Sequence, residues 1–146
     1  MSNYPEWWNT TITVYNKYEN PATRQISWHR TVLPNCFWKY TGSKIIVGET
    51  TIDTNATLCR IPKNSAFLEK YEWNNIQDKS KHFTLGTGDI LVKGDVADEI
   101  DEYASGCRSS DILTKYKKLQ GCMVIEQSAV NTGLGRGLEH YYVRGV

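Results

Sequence analysis

A chain of 146 residues, 40% hydrophobic and 23% charged, is long enough to bury a core of its own and too apolar to stay unfolded. Its formal net charge of +1 excludes the strongly basic balance that holds a protein on nucleic acid or an anionic membrane, and leaves only local patches for such work. No apolar run approaches the length of a membrane span, and the polar opening MSNYPEWWNTT has no signal-peptide core. The expectation is a protein made and kept in a cytoplasm.

The chain opens on an irregular N-terminal segment, residues 1–9, carrying Trp7 and Trp8. Thr10 to Tyr18 then reads as a strand. It is rich in β-branched and aromatic residues and alternates Ile12 and Val14 against Thr11, Thr13 and Tyr15. ENPAT at 19–23 is a turn signal. A second strand alternates Ile26, Trp28, Arg30 and Val32, and Pro34-Asn35 interrupts it. Proline cannot donate to a central ladder, so a bulge, an edge or a break is expected there. KIIVGETTI and TNATLCRIP follow as strands, with a hairpin turn expected at Asp53-Thr54-Asn55.

Residues 63–81 are polar with scattered aromatics, a long connection with room for one short helical turn. Gly86-Thr87-Gly88 is a turn, and Ile90-Leu91-Val92 a buried strand that Gly94 ends. A helical insertion is expected around 95–120. Its first part places Val96, Ile100 and Tyr103 at helical spacing and stops at Gly106. Its second part opens with serines, carries Asp111 in its first turn and lysines in its last, and stops at Gly121. CMVIEQSAVN and EHYYVRG form a closing strand pair. The sum is one mainly β domain of α+β type: a small β-barrel or sandwich with an inserted helical segment.

The glycine-rich Gly133-Leu134-Gly135-Arg136-Gly137 invites a phosphate-loop reading. It lacks the spacing of either nucleotide fingerprint, and a strand follows it where those motifs need a helix. What remains is a loop between the last two strands, or a loop that approaches a neighbouring subunit with Arg136 as its reaching group. The carboxylates from Asp95 to Glu102 have no histidine or calcium-loop spacing beside them and read as a solvated face or a charged contact surface. Cys36, Cys59, Cys107 and Cys122 include no C-x-x-C pair. They read as free thiols, and no spacing makes a zinc site of them with His29, His82 and His140. No nucleophile elbow occurs, His140 reads as a structural histidine, and no catalysis is expected. The paired tryptophans fit either an anchor on a partner or a staple folded back on the domain.

At GDILVKGDV, RSSDILTKY and TGLGRGLEHYYVRG the chain resembles small structural proteins of tailed bacteriophages and prophages of Gram-positive hosts, the minor capsid or head–tail connector proteins. The opening TITVYNKYENP and NCFWK fit the same set. The resemblance implies a head-completion or stopper protein of the virion neck: a β-barrel that closes the DNA channel and offers a platform to the tail. It implies a hexameric or dodecameric ring of this chain, contacts with portal or adaptor and with tail proteins, passage of DNA without sequence recognition, and no cofactor or membrane. Complementary charge between subunits would come from Asp98, Glu99, Asp101 and Glu102 on one side and Arg108, Lys115, Lys117 and Lys118 on the other. Trp7, Trp8, Arg136 and Arg144 complete the candidate interface. The rivals are another virion ring (adaptor or tail completion), a small nucleic-acid-binding barrel using tryptophans as stacking platforms, and a hydrolase built on His140 or His82.

Overall fold

A computed structural model describes residues 4–41, 44–53, 56–117, 121–131 and 139–146. Strands β1 (Thr10–Glu19), β2 (Ile26–Thr41), β5 (Ala56–Pro62), β6 (Ile90–Lys93), β7 (Cys122–Asn131) and β8 (His140–Gly145) close a barrel. Their order around it is β1-β2-β5-β8-β7-β6, and every neighbour pairs antiparallel. Strands β3 (Lys44–Val47) and β4 (Thr50–Asp53) form a separate two-stranded ribbon. Among the described residues there are two short helices, α1 (Lys70–Asn75) and α2 (Ser109–Lys117).

The turn expected at ENPAT joins β1 to β2. The Asn20 side-chain oxygen accepts from the backbone N–H groups of Ala22 and Thr23, and Arg24 takes the left-handed conformation at φ 62°. Pro34-Asn35 is a bulge within one 16-residue strand. Asn35 sits at φ 60°, and the β1–β2 register slips between Thr10↔Cys36 and Ile12↔Leu33. The slip lets β2 serve two partners: its first part pairs with β1, and Phe37 to Thr41 pair with β5.

KIIVGETTI is not a single strand. It folds back at Gly48-Glu49 into the β3–β4 ribbon, with Gly48 at φ 64°, a conformation glycine adopts at little cost. The turn expected at Asp53-Thr54-Asn55 falls on residues 54 and 55, outside the described residues.

Inward-facing residues fill the barrel: Ile12 and Val14 from β1, Leu33 and Cys36 from β2, Cys59 and Ile61 from β5, Leu91, Met123, Ile125 and Val143 from the rest. Phe83 and Leu85, from the connection that holds α1, join the same core. Closure is tight at Gly145, where a side-chain Cβ would lie 2.1 Å from the Val124 carbonyl oxygen.

The outward face of β1 is buried as well, so Ile12 to Asn16 are covered without interruption. Tyr15, Ile90, Val92 and Cys122 point out of the barrel into a second apolar cluster with Val96, Ile100 and Ile112, against which Leu113 and Tyr116 pack. Of the helix expected at 95–120, the described residues form one at Ser109–Lys117, and residues 95–107 are irregular; 118–120 lie outside the described residues. Their backbone is spent elsewhere. Val96 N–H donates to the Thr13 hydroxyl, Asp101 N–H to the Cys107 carbonyl, and Tyr103 N–H to the Asp101 side chain. Each buried Val or Ile side chain contributes roughly 1.5–3 kcal/mol. Val96 and Ile100 thus hold this segment on the barrel without helical hydrogen bonds.

Candidate interaction surface

The N-terminal segment folds back on the barrel. Trp8 is buried, stacked on Tyr4 at 5.2 Å between ring centroids, lying over Phe37 and meeting His140 edge-on at 5.5 Å. The Tyr4 hydroxyl donates to the Glu139 carbonyl, and Lys63 N–H donates to the Tyr4 oxygen. Trp8 is therefore the staple. Trp7 remains 61% exposed, with one edge against Phe37, and is the residue that can meet a partner. His140 is buried, and its Nε2 lies 3.0 Å from an Arg60 guanidinium nitrogen and 3.1 Å from the Asn131 amide nitrogen. The Arg60 guanidinium can only donate, so Nε2 is placed to accept from it.

Of the charges singled out in the sequence, Asp98 and Lys115 pair with each other. Asp98 accepts from Lys115 Nζ at 2.9 Å and from the Tyr116 hydroxyl at 2.8 Å, while its carbonyl accepts from Tyr15. The Lys115 ammonium, then the Tyr116 hydroxyl, holds the Asp98 carboxyl below its ordinary 3.8. Burial pushes the Tyr15 hydroxyl up to about 12. Glu102 accepts from Ser109 N–H at the start of α2, and Asp111 accepts from Arg108 N–H one turn back. The acidic and basic faces expected to meet between subunits therefore meet within one chain at Asp98 and Lys115. Glu99, Arg108 and Lys117 are exposed. Lys118 and Arg136 lie outside the described residues.

Arg144 belongs to a surface the sequence did not reveal. On the outer face of β2, β5, β8 and β7, cross-strand partners run Phe37–Arg60–Tyr142–Ala129 in one row and Lys39–Leu58–Arg144–Gln127 in the next. The Arg60 guanidinium lies over the Tyr142 ring, 5.3 Å from its centroid. Lys39, Arg144, Gln127 and Ala129 are exposed. Neither Lys39 nor Arg144 has an acidic partner among the described residues. Three cations and three aromatics (Trp7, Phe37, Tyr142) thus share one open half of the barrel. Only the register, which no local pattern encodes, brings them together.

Two further features stand apart. Asp89, fully buried in the GDI turn, accepts from Asn16 Nδ2, Lys17 N–H, Gly86 N–H and Lys70 Nζ at 2.9–3.1 Å. This network ties β1, α1 and β6 together and leaves the carboxylate no capacity for a ligand. A groove of about 260 Å³ lies between Phe67, Glu69 and Glu72 on one side and Val130, Glu139 and Tyr141 on the other. Among the described residues no group of three His, Cys, Asp or Glu side chains is arranged to hold a metal ion.

Fold and surface together define a closed six-stranded antiparallel barrel, clad over β1 and β6 by residues 95–117, while the outer face of β2, β5 and β8 is covered by the N-terminal segment at Phe37 and His140 and, among the described residues, exposed at Lys39 and Arg144. The chain belongs to a family of unknown function, DUF6751, whose model matches residues 7–146. No curated protein and no solved structure matches it.

Proposed function

We propose that this chain is a structural protein of the tailed-phage neck, a head-completion or stopper subunit that forms a ring between portal and tail and works by contact without catalysis. The observation that carries this reading is the two-sided barrel. One half is sealed by residues 94–117, and the other presents Trp7, Lys39, Tyr142 and Arg144 to a partner. A rigid barrel with two unlike sides is what head-to-tail assembly around a channel needs. The resemblance of GDILVKGDV and the closing segment to connector proteins points the same way.

The test is complementation of a phage whose copy of this gene is deleted. Heads should fill with DNA, leak it and remain tailless, and purified chain should restore tail joining. Trp7→Ala and Arg144→Glu should fold and fail to restore it. Normal virions from the deletion phage would overturn the reading.

The basic and aromatic rows favour one other reading, a barrel that binds single-stranded nucleic acid by stacking and charge. It predicts oligonucleotide binding that weakens steeply with salt and disappears in Lys39→Glu/Arg144→Glu.

A further inference from the structure

The strand order places the two unlike surfaces back to back. In the sequence β1-β2-β5-β8-β7-β6 around a closed barrel, β1 lies opposite β8, and β6 lies opposite β5. The open face centres on β5 and β8. It carries Lys39, Arg60 and Arg144, and the one acid in the described parts of its strands 37–41, 56–62, 122–131 and 140–145 is Glu126, in the β7 bulge.

The opposite side, over β1 and β6, is covered by residues 95–107, which contain five acids and no lysine or arginine. Asp95 is paired with Arg30 and Asp98 with Lys115. Glu99 and Asp101 are exposed with no cation in ion-pair reach among the described residues, next to the 64% exposed ring of Tyr103.

We infer that the occupant of the open β5–β8 face is a second copy of this chain, docked through its 95–107 segment. Charge selects the pair: Lys39 and Arg144, without an acidic partner among the described residues, meet Glu99 and Asp101, without a cationic one among them, and each side adds an exposed aromatic. Geometry selects the symmetry. Surfaces on opposite sides of one barrel cannot meet each other through a two-fold axis, so association is head to tail, and the rotation between successive copies sets whether it closes into a ring or runs on as a filament. A nucleic acid is the weaker occupant, because three cations engage few phosphates and the whole chain carries only +1. The inference deepens the ring reading by naming the surfaces that would build the ring, and rests on it for biological use.

The experiment is sedimentation of the full chain at low and high salt, with charge-reversed variants at positions that bear no structural hydrogen bond. The wild type should associate beyond a dimer at low salt and dissociate as salt rises. Lys39→Glu/Arg144→Glu, and separately Glu99→Lys, should each weaken association about tenfold or more. An equimolar mixture of the two variants should associate again, because each reversed surface then meets an opposite one. Damage to folding would not be repaired by mixing. A wild type that stays monomeric or stops at a dimer, variants that associate normally, or a mixture that stays dissociated would each overturn the pairing. So would loss of oligonucleotide binding in Lys39→Glu/Arg144→Glu with self-association intact. Failure here with normal tail joining removes the pairing and leaves the neck reading standing. Association in a chain that restores no tails removes the neck reading alone.

Discussion

Asp89 and Gly145 are the residues on which the barrel most depends. The Asp89 carboxylate satisfies three buried or half-buried N–H donors and one ammonium. Asp89→Ala leaves the amide of Asn16 and the N–H of Gly86, both buried, without it. The expected loss is about 3 kcal/mol in denaturant unfolding. Asp89→Asn should cost less, since its oxygen still accepts. Gly145 is required for a different reason: the added methyl of Gly145→Ala meets the Val124 carbonyl, and backbone cannot rotate away as a side chain does. The expected cost is roughly 1–3 kcal/mol, read as a lowered unfolding midpoint. In the sequence, Asp89 stands between the Gly86-Thr87-Gly88 turn and the Ile90-Leu91-Val92 strand, and Gly145 near the end of the last strand. Their weight was not legible, because Asn16 and Lys17 lie 73 and 72 residues before Asp89, and the carbonyl that Gly145 meets belongs to Val124 on another strand.

Among elements, the segment from Asp95 to Lys117 has an attachment that depends on pH through Asp98. Its irregular half is pinned by two apolar side chains and by Asp98, which accepts from Lys115 and Tyr116. The folded state depresses the Asp98 carboxyl below its ordinary 3.8. Its stabilising contribution is therefore complete above that value and falls away as pH drops through the lower folded one. Hydrogen exchange should show residues 95–117 opening below about pH 4, earlier than the strands. Asp98→Asn should open this segment at neutral pH and flatten the acid response. An unchanged response would place the control elsewhere. The helical spacing of Val96 and Ile100 was a true signal of burial and a false one of helix. Two apolar residues four apart can reach one surface from an extended or turning backbone too, and the Asp, Ser and Gly around them favour local turns.

At the scale of the molecule, the cladding of one barrel half decides what the other half can do. Replacing Trp7 with alanine removes an exposed ring from an aromatic edge, so stability should change by less than about 1 kcal/mol while partner contact suffers. Trp8→Ala should cost about 3 kcal/mol or more, because that ring lies between Tyr4, Phe37 and His140. A thermal unfolding comparison of the two separates staple from anchor, which the sequence left open.

The sequence by itself determined the barrel strands, the turns at ENPAT and Gly86-Thr87-Gly88, helix α2 and the β-dominated class, because alternation, Gly and Pro placement and helix caps are local. The expected strand pair at the end and the bulge at Pro34-Asn35 follow from the same local chemistry. Only the tertiary structure decided that β2 divides between two neighbours, that Lys115 answers Asp98 inside one chain, and that Lys39, Arg60 and Arg144 line one face. Those outcomes depend on register and on which segment covers which side of the closed barrel. Both are set by contacts between residues far apart in the chain, and no short stretch of it carries that information.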